Sequence, residues 1–238
     1  MLDGMLAAVP DADDTPKAII VPHAGYVYSG PVAASAYARL KKARSRIQRV
    51  VLLGPVHRVP VRGLAASSAD SFLTPLGSVP LDRDLIARLL ELPQVENRDD
   101  AHAGEHSLEV HLPFLQEVID HFTLVPLAVG DARCEEVEEV LDLAWGGPET
   151  LIVVSSDLSH YHDYETAHAM DQATSMAIES LSPESIGHDQ ACGRIPICGL
   201  LRAARKRGME ARTIDLRNSG DTAGPRDQVV GYGAYVLQ

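Results

Sequence analysis

Three apolar runs in this chain end in side chains that can do chemistry. VPHAGYVYSG (residues 21–30) carries His23 just past the first run, and LGPVH carries His57 just past the second. SSDLSH carries Asp157 and His160 past the third. A single histidine is more often structural than catalytic. Corresponding placement at three strand ends is a stronger pattern, because ten scattered histidines have no reason to prefer such ends. Two histidines and a cysteine can hold a first-row transition metal: imidazole suits iron, copper and zinc, and thiolate favours Cu(I) or zinc. An Asp157–His160 pair could orient an acid/base imidazole. Cys192 with His160 and Asp157 also has the residue types of a thiol triad.

Two further clusters stand out. In ACGRIPICG (191–199), Cys192 falls near a helix start, where free amides and the helix dipole lower a thiol's pKa. The plain alternative for Cys192 and Cys198 is a small core residue; it is preferred for Cys198 and stays open for Cys192. In EHSLEVHLPFLQ (105–116), His106 and Glu109 share a face if the helix has begun by then. Leu108, Leu112 and Leu115 form the buried stripe. Glu105 and Glu109 either complement the helix dipole or face a site. No short metal motif such as HExxH or paired CxxC is present, so the ligands would have to come from distant segments.

The elements that must position these groups alternate. Short apolar strands are expected at Lys17–Val21, Arg49–Gly54, Phe122–Gly130 and Thr150–Asp157, with closing strands at Ala211–Leu216 and Val229–Leu237. Gly63–Ser67 and Ser71–Val79 read as short strands or a hairpin. Pro31 is placed at the opening of a helix, and Asp82 caps another through Leu92. Further helices are expected near 107–119, 135–144, 165–180 and 192–207. Continuous apolar strands alternating with helices imply an α/β fold with a central, mostly parallel or mixed sheet covered on both faces. In such sheets ligands sit at strand ends. Residues 1–16 are acidic and weakly patterned and read as a loose arm before a single domain at 17–238.

The 238 residues carry 33 acids against 21 Lys and Arg, a net charge of −12. That surface repels phosphate backbones and anionic lipid, so no nucleic-acid or membrane partner is expected. The amino terminus lacks a basic segment, and three cysteines are too few for a disulfide scaffold. A reducing, cytoplasmic setting is expected.

PHAGYVYSG, LGPVH, TPLG (74–77), EHSLEVHLPFLQ, VVSSDLSHY and CGRIPI, in this order, resemble the Memo family over residues 17–238. That family includes the mediator of ErbB2-driven cell motility and prokaryotic proteins called AmmeMemoRadiSam system protein B. The resemblance implies a fold like that of class III extradiol dioxygenases. It also implies a pocket in which His23, His57 and Cys192 bind iron or copper, with Asp157 and His160 beside them and His160 as the acid/base. Tyr26 and Tyr28 then wall the pocket. The chain departs from some members with Arg58 and Ile195 where they carry histidine, and without their Gly- and Trp-containing block before the first strand. Cysteine in place of the dioxygenases' carboxylate argues against ordinary ring cleavage. Three functions follow as expectations: metal-dependent redox chemistry on an unknown small molecule or peptide; a non-catalytic adaptor that keeps the pocket; and a thiol- or metal-dependent hydrolase, with zinc as a further metal. The prokaryotic name adds a radical-SAM partner as an expectation.

Overall fold

The structure is a computed structural model and describes every residue except 11, 13 and 14. Helix α1 (Leu2–Ala7) precedes strand β1 (Ala18–Val21), and α2 (Tyr26–Tyr37) leads through a 3-10 segment to β2 (Arg49–Pro55). Then come β3 (Leu64–Ala66), a hairpin of β4 (Ser71–Thr74) and β5 (Gly77–Pro80), α3 (Arg83–Leu89), β6 (Val95–Asn97) and α4 (Asp100–Ala103). A 3-10 turn at Glu109–His111 runs into α5 (Leu112–Val118), followed by β7 (Thr123–Val129), α6 (Cys134–Ala144) and β8 (Thr150–Ser155). The chain closes with β9 (His160–His162), α7 (Tyr164–Glu179), α8 (Arg194–Lys206), β10 (Ala211–Asn218), α9 (Ser219–Thr222) and β11 (Val229–Leu237).

The main sheet has nine strands, ordered β10-β11-β1-β8-β2-β7-β3-β6, with β9 paired to the start of β11. β1, β8, β2 and β7 run parallel. β11 is antiparallel to β1, and β3 is antiparallel to β7, so the sheet is mixed. The four parallel strands are almost wholly apolar because both of their faces are covered. Each fully buried Val, Ile or Leu contributes roughly 1.5–3 kcal/mol to holding the layers together. α2 packs on β1, β10 and β11 with α1 and α5 beside it, and α8 packs on β2 and β8 with α6 alongside.

Three sequence expectations change here. The amino-terminal stretch is not uniformly loose: Leu2, Met5, Leu6 and Val9 recur at helical spacing, and Leu6 is buried. α1 docks on α2 at Gly30, where an added Cβ would meet Met5 Sδ at 2.7 Å. The rest of the expected arm includes residues 11, 13 and 14, which lie outside those described. Pro31 does not open α2 but sits inside it; the helix starts at Tyr26, where Gly25 caps it with an extended backbone and accepts the N–H groups of Tyr28 and Ser29. Cys198 is buried as expected but is bonded to Cys134, 64 residues away, joining α6 to α8. The sequence alone places Cys198 in the core without a partner; the structure pairs it and leaves Cys192 as the free thiol. Among the described residues, no helix is long and apolar enough to cross a membrane.

At the opposite edge from the strand-end histidines, Lys17 ties two parallel strands together. Its Nζ donates to the carbonyls of Trp145, Gly147 and Thr150 at 2.6, 2.7 and 2.6 Å. Burial pulls this ammonium down to about 8, against the opposing charge of Glu149.

Candidate metal centre

Because β1, β2 and β8 are parallel and in register, their carboxyl ends lie on one edge of the sheet. His23, His57 and Asp157 each stand two residues beyond a strand end. His23 is buried, and its main-chain N–H donates to Asp157 Oδ1 at 2.8 Å. Its Nδ1 lies 2.7 Å from Ser155 Oγ. Ring centroids of His23 and His57 are 5.3 Å apart, and those of His23 and His106 are 5.5 Å apart. The His57 and His106 rings stack at 5.3 Å. One nitrogen from each of these three rings lies within 4.8 Å of the other two, a spacing that suits a single metal ion.

Glu105 organises two of the three. Its Oε2 accepts the His57 main-chain N–H at 2.6 Å, and its Oε1 accepts His57 Nδ1–H at 2.9 Å. The main-chain N–H groups of His106 and Ser107 also donate to Oε1, both at 3.0 Å. Burial alone would raise the Glu105 carboxyl; the hydrogen bonds from His57 and Ser107 overcome it and hold the group down at about 2. With Nδ1–H committed to Glu105, His57 has Nε2 as the ring nitrogen left for a ligand, the arrangement by which carboxylates orient metal-binding histidines. The three-histidine donor set therefore fits a transition metal.

Burial, followed by the neighbouring His57 and His106, pushes His23 down to about 3, so this ring stays neutral. Asp157 moves the other way: burial raises it to about 6 against the pull of the His23 amide and of His160. His160 borders the group through its electrostatic interaction with both Asp157 and His23. The Asp157 carboxylate is engaged by His23 rather than hydrogen-bonded to His160, which changes the pairing expected from sequence.

Cys192 stands beside the cluster but not in the three-nitrogen group. Its Sγ is 3.5 Å from His23 Nε2 and accepts the Asp157 main-chain N–H at 3.3 Å. The expectation of a helix-lowered thiol is corrected: α8 begins only after Gly193, and burial, then Asp157, pushes the thiol up to about 12. For the thiol triad, the ring that Cys192 meets is His23 and not His160.

The expected pocket residues divide. Tyr26 is tied inward: its hydroxyl donates to the Val110 carbonyl at 2.8 Å, and burial raises it to about 12. Tyr28 is 40% exposed. His106 joins the histidine cluster, whereas Glu109 lines a cavity of about 390 Å³ bordered also by Glu105, Phe72, His102 and Leu112. The two do not share a helical face, because the 3-10 turn starts only at Glu109.

Sequence reasoning did not find the carboxylate bracket of Glu105, or the roles of Ser107, His111 and Ser155. Buried His111 bonds Tyr37 and Ser155, and Ser155 donates to the Ser107 carbonyl at 2.6 Å. The available signal was the density of Glu105, His106, Ser107 and His111 in one seven-residue stretch. Gly54 lets that stretch close on β2: an added Cβ would meet Leu108 Cδ2 at 2.8 Å, and Ser107 Oγ and Ser155 Cβ at 3.1 Å each.

The sequence profile described as Memo-like protein matches residues 1–236. A MEMO1 family protein from Aquifex aeolicus is 35% identical over 245 residues, covering 98% of this chain and 90% of its own. One from Saccharolobus islandicus is 37% identical over 227 residues, covering 90% and 80%. A solved structure of an uncharacterized protein from Escherichia coli K12 superposes with a TM-score of 0.58 at 13% identity, covering 93% of this chain and 100% of that one. That likeness concerns the fold alone. With the profile spanning nearly the whole chain and these two relatives matching it at 35% and 37% identity, the chain belongs to the Memo-like family.

Proposed function

We propose that His23, His57 and His106 hold one iron or copper ion and that the chain carries out metal-dependent redox chemistry on a small molecule or peptide. The observation that carries this reading is the convergence of three imidazole nitrogens within 4.8 Å, braced by a carboxylate that itself accepts four N–H groups. Iron or copper supplies one-electron chemistry that zinc does not. The chain's own residues divide the remaining tasks. Glu105 orients the His57 and His106 segments. Asp157 anchors His23 through its main-chain N–H. His160, at the border of the cluster, moves a proton at its ring nitrogen. Cys192 is half-buried, and its raised thiol supports a role as a wall or an alternative ligand more than as a hydrolytic nucleophile.

A second reading, a binding adaptor, draws on Val27, Tyr28 and Tyr161, which are 54%, 40% and 71% exposed. Tyr28 and Tyr161 both act electrostatically on Tyr232. Tyr161 also holds a left-handed backbone, φ 61°, a conformation that a non-glycine residue keeps only when its surroundings impose it. The radical-SAM partner implied by the family resemblance is part of the proposal, and co-purification tests it.

Elemental analysis of the purified protein beside His106→Ala and Cys192→Ala decides between these readings. Near-equimolar iron or copper in wild type and Cys192→Ala, with little in His106→Ala, supports the three-histidine site. Loss in Cys192→Ala with retention in His106→Ala puts the thiolate in its place. No metal in any of them after anaerobic reconstitution favours the adaptor.

A further inference from the structure

Behind His23 lies a buried polar chain that the proposed function does not use. Tyr37 Oη is 2.9 Å from His111 Nδ1, His111 Nε2 is 2.8 Å from Ser155 Oγ, and Ser155 Oγ is 2.7 Å from His23 Nδ1. Ser155 Oγ is also 2.6 Å from the Ser107 carbonyl oxygen. Tyr37, His111, Ser155 and Ser107 are all buried, so each of these contacts must carry its own proton.

The protons can be counted. Two oxygens 2.6 Å apart need a hydrogen between them, and a carbonyl has none, so the Ser155 hydroxyl hydrogen points at Ser107. Ser155 Oγ then has only lone pairs left for the two rings. His23 must therefore donate from Nδ1, and His111 from Nε2. His111 Nδ1 is left bare and accepts the Tyr37 hydroxyl. With both rings neutral, four protons serve the four contacts, Ser155 Oγ accepting from both rings, and no other placement leaves all four contacts with a proton.

We infer that Ser155, held by Ser107 and His111, locks His23 with its proton on Nδ1 and so keeps Nε2 bare on the side where His57, His106 and Cys192 converge. Ser155 and His111 are positioning residues. They touch no candidate ligand-binding atom, yet they decide which nitrogen of His23 is available. Glu105 does the same for His57 from the other side of the cluster. The functional meaning of the lock rests on the metal-site reading; the lock itself does not.

The test is ring-nitrogen NMR of the metal-free protein with ¹⁵N-labelled histidine, at a pH where His23 is neutral. His23 is expected to show a protonated Nδ1 and an unprotonated Nε2 in wild type. Ser155→Thr keeps the hydroxyl and is expected to keep that pattern. Ser155→Ala is expected to lose it, giving a mixture or the opposite tautomer, and to bind Zn(II), used as a redox-silent probe, roughly 10–100-fold more weakly. A wild-type His23 protonated on Nε2 overturns the inference, and this outcome needs no variant to fold. An unchanged His23 pattern in folded Ser155→Ala overturns it as well. If the tautomers behave as expected but neither wild type nor variant binds Zn(II), the lock stands and the metal-site reading falls.

Discussion

Glu105 grips His57 twice: one oxygen takes the main-chain N–H at 2.6 Å, and the other takes the ring Nδ1–H at 2.9 Å. The same carboxylate collects the amides of His106 and Ser107, so the β2 exit and the 105–107 turn are fixed to each other through one side chain. Glu105→Gln keeps the shape but turns one oxygen into an N–H donor facing other donors. Metal affinity is expected to fall roughly 10–100-fold, read by titration with Fe(II) under argon. Glu105→Ala is expected to cost on the order of 3 kcal/mol in denaturant unfolding as well, since its buried donors lose their acceptor.

Lys17 is expected to matter for stability and not for the site. Lys17→Met leaves the carbonyls of Trp145, Gly147 and Thr150 without their shared donor while keeping most of the aliphatic stem. A loss of about 2–3 kcal/mol is expected in urea unfolding, with metal content unchanged.

Reduction of Cys134–Cys198 opens a loop of 64 residues in sequence separation. By loop-closure entropy, that cross-link is worth about 4 kcal/mol. Thermal unfolding with and without reductant should show a lower Tm on reduction. Cys134→Ser is expected to match the reduced wild type and to be insensitive to reductant.

Asp171 gives a pH-dependent prediction. It is buried in α7, where its Oδ1 accepts the Ser159 main-chain N–H at 3.0 Å, and burial raises its carboxyl to about 6. The unfolded value is about 3.9. The folded state therefore holds this proton more tightly, and the Asp171 contribution becomes less favourable as pH rises from about 4 to about 6. Asp157 has the same sign, whereas His23 and His111, both pushed down to about 3, lose stability as pH falls below about 6.5. These opposing slopes hide each other in wild type, so the useful measurement is a difference. Asp171→Asn minus wild type should shift towards the variant across pH 4–6 and level off above it, by about 3 kcal/mol in all.

The parallel core was legible because its strands are uninterrupted apolar runs, and such runs occur only where both sheet faces are covered. His23, His57 and Asp157 followed from their position just past those runs. The capping of α3 by Asp82 was also visible, and its side chain accepts the Leu85 amide at 3.0 Å. What stayed hidden depends on groups that every residue carries or on packing between distant segments. Glu105 is bound mainly by main-chain amides, which leave no mark in the sequence. The Cys134–Cys198 bond requires α6 to lie along α8, which no local pattern reports. The start of α2 was misplaced because Pro31 gave a stronger signal than Gly25. Cys192 was read from its nearness to a helix start, but its enclosure outweighs that effect.

Gly54 carries a consequence for how this site can change. The missing side chain on β2 is the clearance into which Ser107 and Leu108 settle, and Ser155 lies against the same gap. A single methyl group there would push on the segment bearing His106 and on the serine behind His23 together. The two arms of the cluster therefore share one tolerance, and the bite of the site is adjusted as a whole rather than one imidazole at a time.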